Sequence, residues 1–457
     1  MTEDVIAVFD IGKTNKKFFL FDMEFKEVLR DYTVFDQIED EDGYPTENIV
    51  ALHNWMKATF RQILESKKYN VKAINFSSYG ASFVHLDNRG NLVTPLYNYT
   101  KPMDGDIISM FFEKYGPEID FCRDTGTTNS GMLNSGMQLF WLKHRKPDLF
   151  SHIKCSLHLP QYLSYVFTGI PISEYTSIGC HTALWDYSKQ DYHAWVYNEG
   201  IHGILPSIVP AETSINTSYD GKQMKIGVGI HDSSSALLPY VRSIDEKFLL
   251  LSTGTWSVAL NPFSKSMLSN ADIKSNCINY MRINGAPVTA SRLFLGNEYN
   301  KKVKELAAQF HVSEDYHKNV QFNPVVCQKI LGDDKPRFRW DSLGIGAKNV
   351  DGNPRFDSYE EAYHQLMHEM VDLQIESIHR AIGNDRISQI YIDGGFANNQ
   401  IFLELLAMGL GGIKIRTTDA SLGSALGAAI AISNVTLDSK FLEKNYALKK
   451  HRPLITS

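Results

Sequence analysis

Short apolar runs closed by Asp, Asn or Gly alternate along this chain with longer stretches of helical period. VIAVF (5–9), FFLF (18–21), AINF (73–76), FVHL (83–86), FLLLS (248–252) and QIYID (389–393) read as strands. MQLFWLKHR (137–145) and EEAYHQLMHEMVDLQIESIHRAI (360–382) read as helices, the second with Leu366, Met370 and Leu373 on one face. The alternation predicts an α/β architecture. His364 and His368 lie four residues apart on the longer helix, as a metal pair would. No glutamate follows the first as in a zincin, so solvated histidines are expected there.

The strand VIAVF runs into Asp10-Ile11-Gly12-Lys13-Thr14-Asn15, whose GKT invites comparison with a P-loop. A Walker loop needs a glycine five residues before its Gly-Lys-Thr and a helix after it; here Ala7 stands at that place and a second strand follows. The segment therefore reads as strand, polar turn, strand. Such a turn either is an ordinary hairpin or cradles phosphate with backbone N–H groups, a hydroxyl and an ammonium. LLLSTGTWSVAL (249–260) repeats the same shape near the middle of the chain, just after PYVRSIDEK (239–247), a polar, Pro-containing segment suited to an interdomain connection. A duplicated architecture is expected, one hairpin opening each half, with domains at 1–240 and 241–457.

With 457 residues and 43% hydrophobic content, two or three domains with substantial cores are expected. The 46 basic and 52 acidic residues give a net charge of -6, which argues against nucleic acid as a partner and leaves room for a small charged ligand. The five cysteines are scattered and never in CxxC spacing, so neither a disulfide framework nor a zinc knuckle is expected. No apolar stretch reaches membrane-spanning length and the first residues are acidic, so no membrane association and a cytoplasmic location are expected.

Four segments carry candidate chemistry: DIGKTNKK (10–17), LSTGTWS (251–257), GIHDSSSA (229–236) and DGGFANN (393–399). In the third, Asp232 stands at a helix start, where an aspartate is commonly an N-cap. In the fourth, Gly394 and Gly395 let a flat ligand approach the backbone before a helix begins. DASLGSALGAAIAIS (419–433) has Gly423 and Gly427 one turn apart, a face suited to close helix packing.

In this order the segments resemble the FGGY family of carbohydrate kinases, of the actin, hexokinase and Hsp70 superfamily, over nearly the whole chain. DIGKTNKK is similar to the family's first phosphate motif, with Lys17 for the usual arginine and Lys13 where threonine is common. LSTGTWS is similar to its second phosphate motif, GIHDSSSA to the segment with the catalytic aspartate, and DGGFANN to the adenosine motif. LHLPQYLSYVFTG (157–169) and TSIGCHTALWD (176–186) match a helix and a loop of the same family. YGASFVHLDNRGNLVTPLYNYTKP (79–102) looks most like the L-rhamnulose and L-fuculose kinase group, except that Ser82 replaces an aspartate, which removes the double acceptor a carboxylate offers a diol.

The resemblance implies two ribonuclease H-like domains closing on ATP, Mg2+ and a small sugar. It implies Asp232 as the base for a primary hydroxyl and Asp10 holding Mg2+ through water. Phosphates would be held by Gly12, Lys13, Thr14, Asn15, Lys17 and Thr253, Gly254 and Thr255. Gly394, Gly395 and Asn398 would flank the adenosine, and Tyr79, Gly80, Ser82 and Asp232 would face the sugar. The expected acceptor is a ketose or deoxyketose of the L-rhamnulose or L-fuculose kind, with xylulose, ribulose or fructose as alternatives; a homodimer is left open. The rival of another class is an actin-like ATP-dependent switch or filament protein, which would share the phosphate hairpins and adenosine glycines but not the Asp232 segment. A dinucleotide oxidoreductase would need GxGxxG after the first strand, and DIGKTN is not that.

Overall fold

The computed structural model describes residues 2–333, 335–343, 355–419 and 422–451. Strand β1 (Glu3–Ile11) sends Val5, Ala7, Phe9 and Ile11 to one face and Ile6 and Val8 to the other, and both sets are buried. A strand with apolar residues on both sides belongs at the centre of a covered sheet. It pairs antiparallel with β2 (Lys16–Asp22), which pairs antiparallel with β3 (Glu27–Thr33); on its other side β1 runs parallel to β4 (Tyr69–Ser78). Strands β5 (Ser214–Tyr219) and β6 (Lys222–Gly227) complete the order β5-β6-β4-β1-β2-β3, and β7 (Ile230–His231) also pairs with β4.

The second sheet repeats the plan. Strand β8 (Phe248–Thr253) is antiparallel to β9 (Ser257–Asn261) and parallel to β12 (Gln389–Gly394). With β10 (Cys277–Met281), β11 (Pro287–Leu293), β13 (Lys414–Thr417) and β14 (Lys449–Lys450) the order is β10-β11-β9-β8-β12-β13-β14. Each sheet thus opens with the hairpin expected from DIGKTN and STGTWS and carries a parallel strand beside the hairpin's first arm.

Helices fill three layers. On the outer face of the first sheet lie α1 (Ile49–Glu65) and α3 (Leu159–Thr168), while α2 (Ser135–Arg145) belongs to a separate aromatic cluster. Between the two sheets lie α4 (Asp232–Ser243) and α8 (Gly423–Ala431), whose Leu237, Leu238, Ala425 and Ala428 share one core with Ile6 and Val8 of β1 and Leu250 of β8. On the far face of the second sheet are α5 (Leu295–Phe310), α6 (Tyr359–Ile382) and α7 (Gln400–Gly409).

The two middle helices touch at backbone distance. Pro239 lacks an N–H, so the carbonyl of Ser235 four residues earlier has no helical donor from it. Gly427 lies against that oxygen, where a Cβ would stand only 1.8 Å away. Gly427 therefore has the packing role expected of it. Ala420 and Ser421 of the same segment lie outside the described residues.

Two expectations are corrected. PYVRSIDEK is not a free connection: its first five residues continue α4 to Ser243 with Tyr240 buried, and the division expected after residue 240 falls inside this helix. His364 and His368 are not solvated, being 1% and 7% exposed. The His364 ring bonds the Glu360 carbonyl through Nδ1 at 2.7 Å and accepts the Asn323 N–H on Nε2 at 2.9 Å, because α6 is covered on a second side by the segment around Asn323 and Cys327.

Candidate functional site

A cavity of about 790 Å³ opens between α4 and the second sheet, within the size range of small-molecule sites. Asp232 and Ser233 of α4, Asp393, Gly394 and Asn398 of the glycine bend, and Thr417, Thr418 and Ser424 are among the residues that line it.

Asp232 is the first residue of α4, and its N-cap is His231, so the carboxylate is not itself the cap. Its Oδ1 accepts from Ser233 Oγ at 3.1 Å and lies 3.2 Å from His231 Nε2. Burial pushes its pKa up to about 6. The same Nε2 is 3.0 Å from Cys180 Sγ, burial lowers the imidazole to about 3, and its Nδ1 is buried without a partner. A neutral imidazole therefore stands beside a carboxylate that is two-thirds covered.

Asp10 is the last residue but one of β1, opposite Lys17 of β2. Burial raises its pKa to about 6 against the pull of the Ser424 hydroxyl, and the Asp232 charge adds to the rise. The turn beyond it is closed by the Gly12 N–H donating to the Asn15 carbonyl at 3.0 Å, with Thr14 and Asn15 exposed. Lys13 turns toward Tyr79 and Tyr99, its ammonium 5.4 and 5.0 Å from their ring centres. Burial lowers its pKa. Lys16 is buried in an ion pair with Glu47 and donates to the Lys13 carbonyl at 3.0 Å.

The second hairpin divides its threonines between two tasks. Gly254 and Thr255 are exposed at the turn. Thr253 is buried: its hydroxyl donates to the Asp393 carbonyl and accepts the Phe396 N–H at 3.0 Å, bracing the Asp393-Gly394-Gly395 bend. Gly394 has φ +81°, and Gly395 and Asn398 are exposed beyond it. Gly296, in the first turn of α5, lies against the other hairpin turn, where a Cβ would be 2.0 Å from the Gly254 oxygen.

The segment expected to face a sugar lies on the α4 side. Tyr79 is buried and donates to Glu47 Oε2 at 2.8 Å, so its hydroxyl is committed to the protein. Gly80 packs where a Cβ would meet Cys180 Sγ at 2.8 Å and His231 Cδ2 at 3.2 Å, which places this segment beside Asp232. Ser82 is buried, and its carbonyl accepts the Leu159 N–H at 3.0 Å. None of the three lines the large cavity.

Sequence reasoning missed several lining residues: Ser233, Ser252, Tyr280, Thr417, Thr418 and Ser424. It quoted Asp393 only as the start of a glycine turn, whereas burial raises this carboxyl too to about 6. The signal for Asp393 was available, since a carboxylate at a strand end before Gly-Gly repeats the position of Asp10. For Tyr280 there was none, because an apolar strand does not show which tyrosine faces a cleft.

Three carboxylates near the cleft with raised pKa values suit a hard cation that takes oxygen ligands. Among the described residues no group of three or more His, Cys, Asp or Glu is close enough to cage a metal. The fit is therefore to Mg2+ that keeps water and phosphate oxygens, as it does in nucleotide sites.

Residues 5–236 match the family model described as the FGGY family of carbohydrate kinases, N-terminal domain. The chain is 24% identical to a rhamnulokinase of Mannheimia succiniciproducens over 256 residues, covering 52% of this chain and 49% of that protein. It is likewise 24% identical to a rhamnulokinase of Halalkalibacterium halodurans, covering 54% of each. The chain spans about half the length of the curated relatives it matches. A carbohydrate kinase from Novosphingobium aromaticivorans superimposes with a TM-score of 0.83 at 21% identity, covering 100% of this chain and 96% of that one. For a ligand-bound xylulose kinase from Lactobacillus acidophilus the values are 0.76 and 17%, covering 98% and 94%. These likenesses establish the fold, the actin-like pair of α/β units expected from the motifs.

Proposed function

This chain belongs to the FGGY family of carbohydrate kinases, and we propose that it transfers the γ-phosphoryl group of ATP to a primary hydroxyl of a small sugar. The observation that carries this reading is Asp232, a two-thirds-covered carboxylate at the first turn of α4, which lines the same cavity as Asp393 and the Gly394 bend. An ATP-driven switch needs the bend but not a carboxylate poised in the same cavity to receive a proton.

In the proposed reaction, Oδ1 of Asp232 is engaged by Ser233 and His231, which leaves Oδ2 for the acceptor hydroxyl. The hydroxyl oxygen bonds to the γ-phosphorus, the bond to the β-phosphate oxygen breaks, ADP leaves, and the proton passes to Asp232. A carboxylate is too weak a base to remove that proton beforehand, so transfer is late and positioning supplies most of the rate. Asp10 would hold Mg2+ through water, and the bound ion neutralises charge on the phosphates. The backbone of Gly12–Asn15 and of Gly254–Thr255, with Lys17, would hold the phosphates, and Gly394, Gly395 and Asn398 the adenosine. Closure of the two halves would exclude water as a competing acceptor.

The rhamnulokinase relatives support a ketose or deoxyketose as acceptor; Ser82 is where the chain departs from that group. The test is ADP release with ATP and Mg2+ across ketoses, deoxyketoses, polyols and sugar acids. Sugar-dependent release supports the kinase. ATP hydrolysis that no sugar accelerates supports the switch instead.

A further inference from the structure

Arg292 of β11 is a cation that has no counter-ion among the described residues and lies beside the cavity. In the antiparallel pairing of β9 and β11 it stands opposite Val258, and directly paired residues share a face; Val258 lines the cavity. Its guanidinium Nη2 donates to Asn276 Oδ1 at 2.6 Å and Thr128 Oγ1 at 3.3 Å, both neutral, and the group lies 5.8 Å from the Trp256 ring. Its Nε is buried with no partner, and among the described residues no carboxylate stands within ion-pair distance of it.

The surroundings tie this charge to Asp232. Burial dominates the pKa values of Cys180, His181 and Tyr280, and the Arg292 charge also acts on each of them. The Tyr280 ring is 5.8 Å from that of His231 and 6.1 Å from that of His181, and Tyr280 lines the same cavity as Asp232. Burial holds His181 and His231 at about 3, so both are neutral near pH 7, whereas arginine keeps its charge. Arg292 is thus a fixed positive group near Tyr280 and His181. A mere strap between β11 and the Thr128 loop would need only its neutral hydrogen bonds. A partly buried, unpaired guanidinium is costly to keep unless a ligand completes it.

We propose that the acceptor sugar carries a carboxylate and that Arg292 binds it: the substrate is a sugar acid, phosphorylated on a primary hydroxyl remote from its acid group. Arginine and carboxylate match as a fork, with two parallel charge-assisted hydrogen bonds. The carboxylate takes no part in the transfer; the new O–P bond, the departing ADP and the proton to Asp232 are as in the kinase reading, on which this inference rests.

The test uses aldonates and keto-aldonates of five and six carbons beside L-rhamnulose, L-fuculose, D-xylulose and the matching alditols. Binding is measured by calorimetry and turnover by ADP release, for the wild type, Arg292→Gln and Arg292→Lys. At least one sugar acid is expected to bind about tenfold or more tighter than its neutral counterpart. Arg292→Gln should remove that preference, raising KM for the acid by about tenfold or more while kcat/KM for a neutral sugar changes by less than about threefold; Arg292→Lys should restore part of it. Melting temperature and ADP affinity should stay at wild-type values. A neutral sugar bound in preference to every acid, or equal losses for acid and neutral sugars in Arg292→Gln, overturns the inference and leaves the kinase standing. Sugar acids that bind through Arg292 but are never phosphorylated would overturn the kinase reading and the substrate assignment with it, leaving only the Arg292–carboxylate contact.

Discussion

The main-chain oxygen of Thr253 occupies the space in which Gly394 would carry a side chain: a Cβ there would lie 1.8 Å from it. With φ +81° and ψ −152°, Gly394 also adopts a backbone region that essentially only glycine tolerates. Gly394→Ala should therefore destabilise the protein by about 2 kcal/mol or more and weaken ADP binding at least tenfold. Gly395→Ala is the control, since its Cβ would stand 3.9 Å from the same oxygen. It should fold normally, and any loss would appear in nucleotide affinity alone. Thermal melting and calorimetry read both; a Gly394→Ala protein that melts like the wild type contradicts the assignment of the bend.

Two neighbouring lysines should behave oppositely. Lys16 is 2% exposed and paired with Glu47, which also receives the Tyr79 hydroxyl. Lys16→Met leaves a buried carboxylate unpaired and should cost about 3–5 kcal/mol of stability. Lys17, beside Asp10 and partly exposed, is the one proposed to reach phosphate. Lys17→Met should raise the KM for ATP and leave sugar binding and melting nearly intact. A Lys17→Met loss shared equally by sugar affinity would contradict the role of the first hairpin.

How much of this was legible in the sequence differs by residue. The hairpins at DIGKTN and STGTWS were, because apolar strands around a short polar turn admit few other folds. Gly427 was, because two small residues one turn apart suit close helix packing. The length of α4 was misread, because Pro239 looks like a break, whereas it is tolerated here with the side-chain-free Gly427 packed against the carbonyl that the proline leaves without its helical donor. The burial of His364 and His368 was hidden because polar residues satisfied inside the fold, His364 by backbone groups and His368 beside Asp372, look in sequence like solvated ones. Arg292 carries no local signal: its lack of a carboxylate partner exists only once β9, β11 and the Thr128 loop are assembled.

The acid pKa shifts predict a specific pH dependence. Burial moves Asp10 from an ordinary value of 3.8 to about 6. A carboxyl with a raised folded pKa keeps its proton where the unfolded chain has lost it, so its contribution to stability falls as pH rises from about 4 to about 6 and the penalty is complete above that. Asp10→Asn should therefore raise the melting temperature of the ligand-free protein at about pH 7.5, and the gain should vanish near pH 4. The same variant should lose most of the extra stabilisation that Mg2+ gives in the presence of ATP. Calorimetry across pH checks both; an equal gain at the two pH values would show that Asp10 is not held in the charged form at a cost.

The central claim is that Asp232 receives the proton of the acceptor hydroxyl, and Asp232→Asn tests it most directly. Asparagine keeps the shape and one acceptor oxygen but removes the charge. The helix should form normally, since His231 and not Asp232 is its N-cap, and ADP affinity should persist because the proposed nucleotide contacts lie on other segments. With the best acceptor from the sugar panel, kcat is predicted to fall by roughly 100-fold or more, about 2.7 kcal/mol of transition-state stabilisation, in a protein that melts and binds ADP like the wild type. Wild-type turnover in the folded variant would contradict the account and remove the main ground for preferring a sugar kinase over an ATP-driven switch.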